Sequence, residues 1–123
     1  MEFHPAWHEL MRLSLAHGLH SLSWTEGRDG AHLARATLLY LAAQVEAGHG
    51  CPVSMTHAAV PTLRKSAEDL AAEWEPRLTS TEYGRGALCG MTMTEKQGGS
   101  DLRSNTMRAT PAGDGEYVLD GEK

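Results

Sequence analysis

At 123 residues the chain is the size of one ordinary domain or of the seam between two, long enough to hide roughly two-thirds of its unfolded surface on folding. Apolar residues at 41% and charged residues at 22% fit a globular protein and leave no low-complexity tract to explain. A net charge of −5 argues against strong sequence-independent binding to nucleic acid by this segment, and no block of like charges implies a tail.

The start, Met1-Glu2-Phe3-His4-Pro5, lacks the basic and apolar regions of a signal peptide. The most apolar run, Ala36 to Ala43, is too short to span a bilayer. Both point to a cytoplasmic protein without a membrane partner. Cys51 and Cys89 belong to no CxxC pattern; they can pair in principle, but two buried thiols in a reducing compartment is the simpler expectation.

Up to about residue 80 the apolar spacing is helical. Trp7, Leu10, Met11, Leu13 and Leu15 recur at helical steps, with Pro5 suited to the first turn and Gly18 weakening the far end. A loop through Thr25–Gly30 follows, with Asp29 as a candidate N-cap. The next helix, about Ala31 to Ala47, carries Leu33, Leu38, Leu39, Tyr40, Leu41 and Val45 on most faces, which predicts burial by other helices. Gly48-His49-Gly50 ends it. A third helix starts near Pro52 and runs towards Leu63, with Pro61 predicted to kink or divide it. Glu68 to Glu75 reads as one more short helix, stopped by Pro76.

Beyond Arg85 the texture turns strand-like. Ala87 to Met93 has the length of a strand. Thr106 to Thr110 and Glu116 to Asp120 flank Pro111-Ala112-Gly113-Asp114-Gly115, a hairpin pattern. Helices first and strands after predict an α+β class with a helical part, 1–84, and the first strands of an antiparallel β-domain, 85–123. About three strands make a marginal sheet whose edges want partners, which reads as a cut fragment.

The chemistry lies in Met91-Thr92-Met93-Thr94-Glu95-Lys96-Gln97-Gly98-Gly99-Ser100-Asp101. A strand here would deliver the Thr94 hydroxyl to its C-terminal end. Gly98 and Gly99 allow close approach of a backbone, and Ser100 with its neighbouring amides offers donors for an anionic or carbonyl oxygen. Asp101 is suited to bonding its own backbone as a turn residue. A plain Gly-Gly-Ser connection between strands is the competing reading. Seven histidines invite a metal reading through the pairs His4/His8 and His17/His20, but no carboxylate or cysteine group accompanies them, so surface or helix-end histidines are expected and no metal. Met11, Met55, Met91 and Met93 read as core filler, and Trp7, Trp24 and Trp74 as helix-packing anchors.

The run Met93 to Asp101 resembles the first signature of the acyl-CoA dehydrogenases: Thr-Glu, two variable residues, a small residue, Gly, Ser and Asp. Its continuation Leu102-Arg103-Ser104-Asn105-Thr106, with Arg108-Ala109, is similar to the AidB-type, alkylation-response branch. So are Gln44-Val45-Glu46-Ala47-Gly48, Cys51-Pro52 and His4-Pro5-Ala6-Trp7-His8. The resemblance implies a fragment joining the end of an N-terminal helical domain to the start of a middle β-domain, in an incomplete acyl-CoA dehydrogenase-like fold. It implies FAD as cofactor, with Met91, Met93 and the hydroxyl of Thr94 at the pyrimidine edge of the flavin, and Gly99 and Ser100 towards the ribityl-pyrophosphate portion. Glu95 and Asp101 would shape the loop; no catalytic residue is assigned within this chain, the base lying far downstream. Thr92 departs from the pattern, standing where a small residue is usual.

The full-length protein is then expected to be a flavoprotein oxidoreductase that carries out α,β-dehydrogenation of a short or branched acyl-CoA, as a homo-oligomer, with the fragment inactive alone. The alternative is a DNA-binding protein that protects against alkylation damage and uses the dehydrogenase fold as a scaffold, its DNA contact lying in regions outside this chain.

Overall fold

The computed structural model describes residues 2–66 and 68–123. Its contacts divide the chain after Gly90 into a helical unit and a smaller unit of Met91–Lys123. Among the described residues, five α-helices in the first and a two-stranded antiparallel sheet in the second give the α+β class predicted. None of the helices is long and apolar enough among the described residues to cross a membrane.

Helix α1, Pro5–Ala16, opens as its sequence requires: Pro5 needs no amide partner in the first turn, and the His4 imidazole accepts from the Ala6 amide at 3.1 Å. Its inner face supplies Met11 and Leu15, which pack with Leu19 and with Val53 in a core bordered by Trp7, Leu38, Leu39, Ala42 and Tyr83. The short helix α2, Leu22–Thr25, follows a buried turn. Leu19 is 5% exposed there and His20 and Ser21 1% each, so their backbone groups need internal partners. Arg35 Nε donates to the Leu19 carbonyl at 2.7 Å, and His57 Nδ1 lies 3.2 Å from the His20 carbonyl.

Helix α3, Ala31–Val45, is capped by Gly30 in the left-handed region at φ 80°, so the Asp29 cap is not used. Its burial also differs from the expectation. Ala31 is buried, but Leu33 is 73% exposed, Tyr40 66%, Leu41 55% and Val45 83%. An all-round apolar pattern reports what a helix can bury, and here only part of that surface has a neighbour. The helix ends two residues early, because Glu46 turns extended and its carboxylate accepts from the Gly48 amide at 2.6 Å and the His49 amide at 3.1 Å.

Helix α4, Gly50–Ser66, runs through Pro61 without dividing. The missing amide leaves the carbonyl four residues back, His57, without its helical donor. The Trp24 indole supplies one instead, Nε1 to the His57 oxygen at 2.9 Å. Pro76 likewise fails to stop α5, Glu68–Leu78. The carbonyl it strips of a donor belongs to Ala72, which is exposed, so water can replace the amide. Trp74 is exposed with the Arg77 guanidinium over its ring, not a packing anchor, whereas Trp7 and Trp24 are half-buried.

The predicted strand Ala87–Met93 has no ladder. Two of its amides go to the helical unit instead: Ala87 donates to the Arg77 carbonyl at 2.9 Å and Cys89 to the Thr56 hydroxyl at 3.0 Å. Cys51 is exposed and Cys89 half-exposed, both free, so the expected buried thiols are not found.

In the second unit β1, Arg108–Gly113, pairs with β2, Glu116–Asp120, from Arg108 opposite Asp120 to Pro111 opposite Tyr117, with an irregularity between Pro111 and Gly113. The turn takes positive φ at three successive residues, 98° at Gly113, 51° at Asp114 and 78° at Gly115, which explains the glycines on either side of Asp114. The first strand begins two residues later than predicted because the Thr106 and Met107 amides are bound elsewhere. Every residue of both strands is exposed.

Candidate functional site

The segment Met91–Asp101 is built around one carboxylate. Glu95 and Gly98 exchange backbone hydrogen bonds at 3.2 Å each way, closing a tight turn over Lys96 and Gln97. The Glu95 side chain points inward and the residue is 5% exposed. It accepts from the Thr106 amide at 2.6 Å and the Met107 amide at 3.0 Å. Gln97 Nε2 lies 2.5 Å away, the Thr106 hydroxyl 3.2 Å, and Lys123 Nζ 3.1 Å. The Thr106 amide above all, then the Lys123 ammonium, the Met107 amide and Gln97, hold the carboxyl down to about 2 against the opposing effect of burial.

Around this hub the loop is closed by short local bonds. Asp101 Oδ1 accepts from the Arg103 amide at 3.2 Å, the turn role expected of it, and caps the 3₁₀ turn Leu102–Ser104. The Ser104 hydroxyl donates to the Asp101 carbonyl at 2.7 Å. Asn105 Nδ2 and Lys123 Nζ both donate to the Met93 carbonyl, at 2.8 and 3.1 Å. Gly98 sits in the hollow this makes: a Cβ there would lie 2.5 Å from Ser104 Oγ and 2.6 Å from Asn105 Oδ1.

Lys123 reaches the hub because the chain folds back at Gly121, where φ is 142° and a Cβ would fall 2.8 Å from the Met107 Cα. Gly121→Ala is therefore expected to cost about 1–3 kcal/mol locally, from strain and backbone displacement together. Hydrogen exchange at the Met107 amide checks it; protection equal to wild type would show that the backbone gives way cheaply.

The residues singled out in the sequence lie on the open side. Met91 is 61% exposed and Met93 46%, so neither is core filler, while Met11 is. Met91, Thr92, Met93 and Thr94 border an open cleft of about 410 Å³, completed by Glu95, Lys96, Glu122 and Lys123. Thr92 is thus at the cleft. Gly99 adjoins it, its Cβ position lying 3.5 Å from Thr94 Cγ2, whereas Ser100 is not part of its lining. Among the described residues the amides of Met91 to Thr94 donate to nothing, and the hydroxyls of Thr94 and Ser100 have no partner. The site therefore presents unused donors beside a fully engaged Glu95 carboxylate, with Asn105 Oδ1 left buried and unpartnered among the described residues. Gln97, Asn105, Thr106 and Lys123 were not singled out: their roles depend on contacts up to 30 residues away, for which no local pattern exists.

The histidines hold the helical unit together. His8 Nδ1 meets the Tyr83 hydroxyl at 2.6 Å. His49, buried, lies 2.7 Å from both Ser14 Oγ and Glu46 Oε2, and His20, buried, bonds the Ser80 carbonyl at 3.0 Å. Neither of those two is at the surface, although His49 directly precedes α4. No group of three or more potential metal ligands occurs among the described residues.

A family model described as the adaptive response protein AidB N-terminal domain matches residues 1–85. The chain is 47% identical over 133 residues to a putative acyl-CoA dehydrogenase AidB of Escherichia coli (strain K12), covering 100% of this chain and 25% of that protein. It is 30% identical over 102 residues to acyl-CoA dehydrogenase family member 11 of Caenorhabditis elegans, covering 78% and 16% respectively. Among solved structures it superposes with a TM-score of 0.85 on Bd2924 in its apo-form, at 25% identity, covering 98% of this chain and 25% of that one. The C. elegans ACDH-11 structure in complex with C11-CoA gives 0.85 at 28% identity, covering 98% and 21%. The chain spans a quarter or less of the length of these relatives.

Proposed function

Because the chain belongs to the acyl-CoA dehydrogenase family, in the branch of the adaptive response protein AidB, we propose that it contributes part of the flavin-facing wall of an FAD-dependent acyl-CoA dehydrogenase. The observation that carries this reading is the pairing of a fully engaged Glu95 carboxylate with unused donors at Met91–Thr94 and Ser100. Such donors fit a ring that gains negative charge, because fixed dipoles stabilise charge without reorganising.

When bound, FAD supplies the two-electron acceptor for α,β-dehydrogenation of an acyl-CoA. The amides of Met91 and Met93 and the Thr94 hydroxyl would hold the pyrimidine edge, and Gly99 and Ser100 would meet the cofactor further along. Glu95 and Asp101 are not bases in this reading, since their oxygens are taken by the loop's own donors. The carboxylate that removes the α-proton belongs to another part of the protein. The assignment of 1–84 to a helical domain and 85–123 to a β-domain, a short or branched acyl chain, a homo-oligomer and a cytoplasmic setting complete the proposal. The C. elegans relative solved with C11-CoA supports an acyl-CoA as the substrate class. The net charge of −5 gives no support to DNA binding by these residues.

Titrating FAD against the protein, followed by quenching of flavin fluorescence, tests it. Saturable binding is expected, weakened roughly tenfold or more in the Thr94→Ala, Ser100→Ala double variant, as for the loss of two hydrogen bonds. Binding that the double variant leaves unchanged would remove these residues from the cofactor site.

A further inference from the structure

We propose that the buried Leu19–Ser21 turn is an acid-sensitive latch: His20 and His57 hold it in their neutral forms beneath Arg35, and protonation of His20 opens it. The geometry is specific about protons. His20 Nε2 donates to the Ser80 carbonyl at 3.0 Å, which leaves Nδ1 as the unprotonated nitrogen, buried and without a partner among the described residues. His57 Nδ1 donates to the His20 carbonyl at 3.2 Å, which makes its neutral form the Nδ1–H tautomer. The Arg35 guanidinium closes the same turn from α3 through the Leu19 carbonyl, and its Nη2 is buried with no acceptor.

The charged groups facing this turn are of one sign. Arg35 comes from α3 and His57 from α4, and His32, also on α3, lies 6.4 Å from His57 between ring centroids. No carboxylate among the described residues pairs with Arg35, His20 or His57. Glu75, across the Trp24 ring, is engaged by Arg64. A proton on His20 Nδ1 would therefore add an N–H with no acceptor and a charge beside a guanidinium, in a place water does not reach. Burial first, with Arg35 assisting, pushes His20 below its ordinary value, and the same two causes act on His57.

Both groups are depressed histidines, so the folded chain binds fewer protons than the unfolded one below the ordinary value of 6.5. Their contribution to stability is complete above that pH and is lost as pH falls below it. Once protonated, His20 gains more by swinging out to water than by staying, and it leaves both the turn and the Ser80 carbonyl.

The test is the pH dependence of thermal unfolding between pH 8 and 5, in the protein and in His20→Gln, whose amide can still donate to Ser80 but cannot titrate. The wild-type midpoint is expected to fall with acid, and the fall to be roughly halved in the variant, since one of two proton uptakes is gone. A second measurement stands if the variant does not fold. Imidazole NMR of the wild type should keep His20 as the neutral Nε2–H tautomer at pH values below the ordinary histidine value of 6.5. A flat wild-type profile, an unchanged slope in the variant, or His20 taking up its proton at the ordinary histidine value in an intact fold each overturns the latch.

Discussion

Replacing Glu95 by Gln is expected to strip the Thr106 and Met107 amides of their protection, with hydrogen exchange at both rising roughly ten- to a hundredfold. The carboxylate has two oxygens and each serves a backbone amide; the near-isosteric amide has one oxygen and an NH₂ that faces a second donor. It also lacks the charge that draws Lys123 into the turn. Acid does to the wild type what the substitution does at neutral pH. The carboxyl sits at about 2 in place of 4.5, so its contribution is whole above pH 4.5 and fades as pH falls towards 2. Protection at Thr106 and Met107 should therefore converge on that of the variant as pH approaches 2. A variant with wild-type exchange would mean that the loop is held by Asp101, Ser104 and Asn105 alone.

Met11→Ala is expected to cost about 2–5 kcal/mol of unfolding free energy, the range for emptying a fully buried site of that size. Met11 is 0% exposed and packs with Leu15, Leu19 and Val53, drawn from α1, the turn after it and α4. Those pieces cannot close over the void without moving the Leu19–Ser21 turn, whose carbonyls are already pinned by Arg35 and His57. Urea unfolding followed by tryptophan emission measures the loss. Leu13→Ala is the control: Leu13 is 59% exposed on the opposite face of the same helix and should cost far less. Equal costs for the two would show that the core is not where the burial places it.

What the sequence made legible is what its neighbours in sequence decide. The α1 helix, the Asp-Gly hairpin turn and the turn role of Asp101 all depend on partners within a few residues. Departures came where a distant group took over. Ala87–Met93 has the composition of a strand, yet Arg77 and Thr56 take two of its amides. Pro76 has the chemistry of a stop, yet its stranded carbonyl is exposed to water and α5 continues. His20 read as a surface or helix-end residue because an isolated histidine carries no mark of what it will face, and it is buried. Glu95 could be read as a shaping residue, but not that it would gather atoms from Gln97, Thr106, Met107 and Lys123.

The indole that completes α4 ties two distant positions into a single choice. Pro61 leaves the His57 oxygen without its helical amide, and the Trp24 indole supplies the missing donor. Phenylalanine at 24 would orphan the carbonyl; alanine at 61 would return its amide, and the oxygen's second lone pair could keep the indole. The two changes made together restore an ordinary helix. Residues 37 apart in the chain are thus coupled in one direction: losing the indole is disfavoured while proline stands at 61 and tolerated once an amide has been restored there.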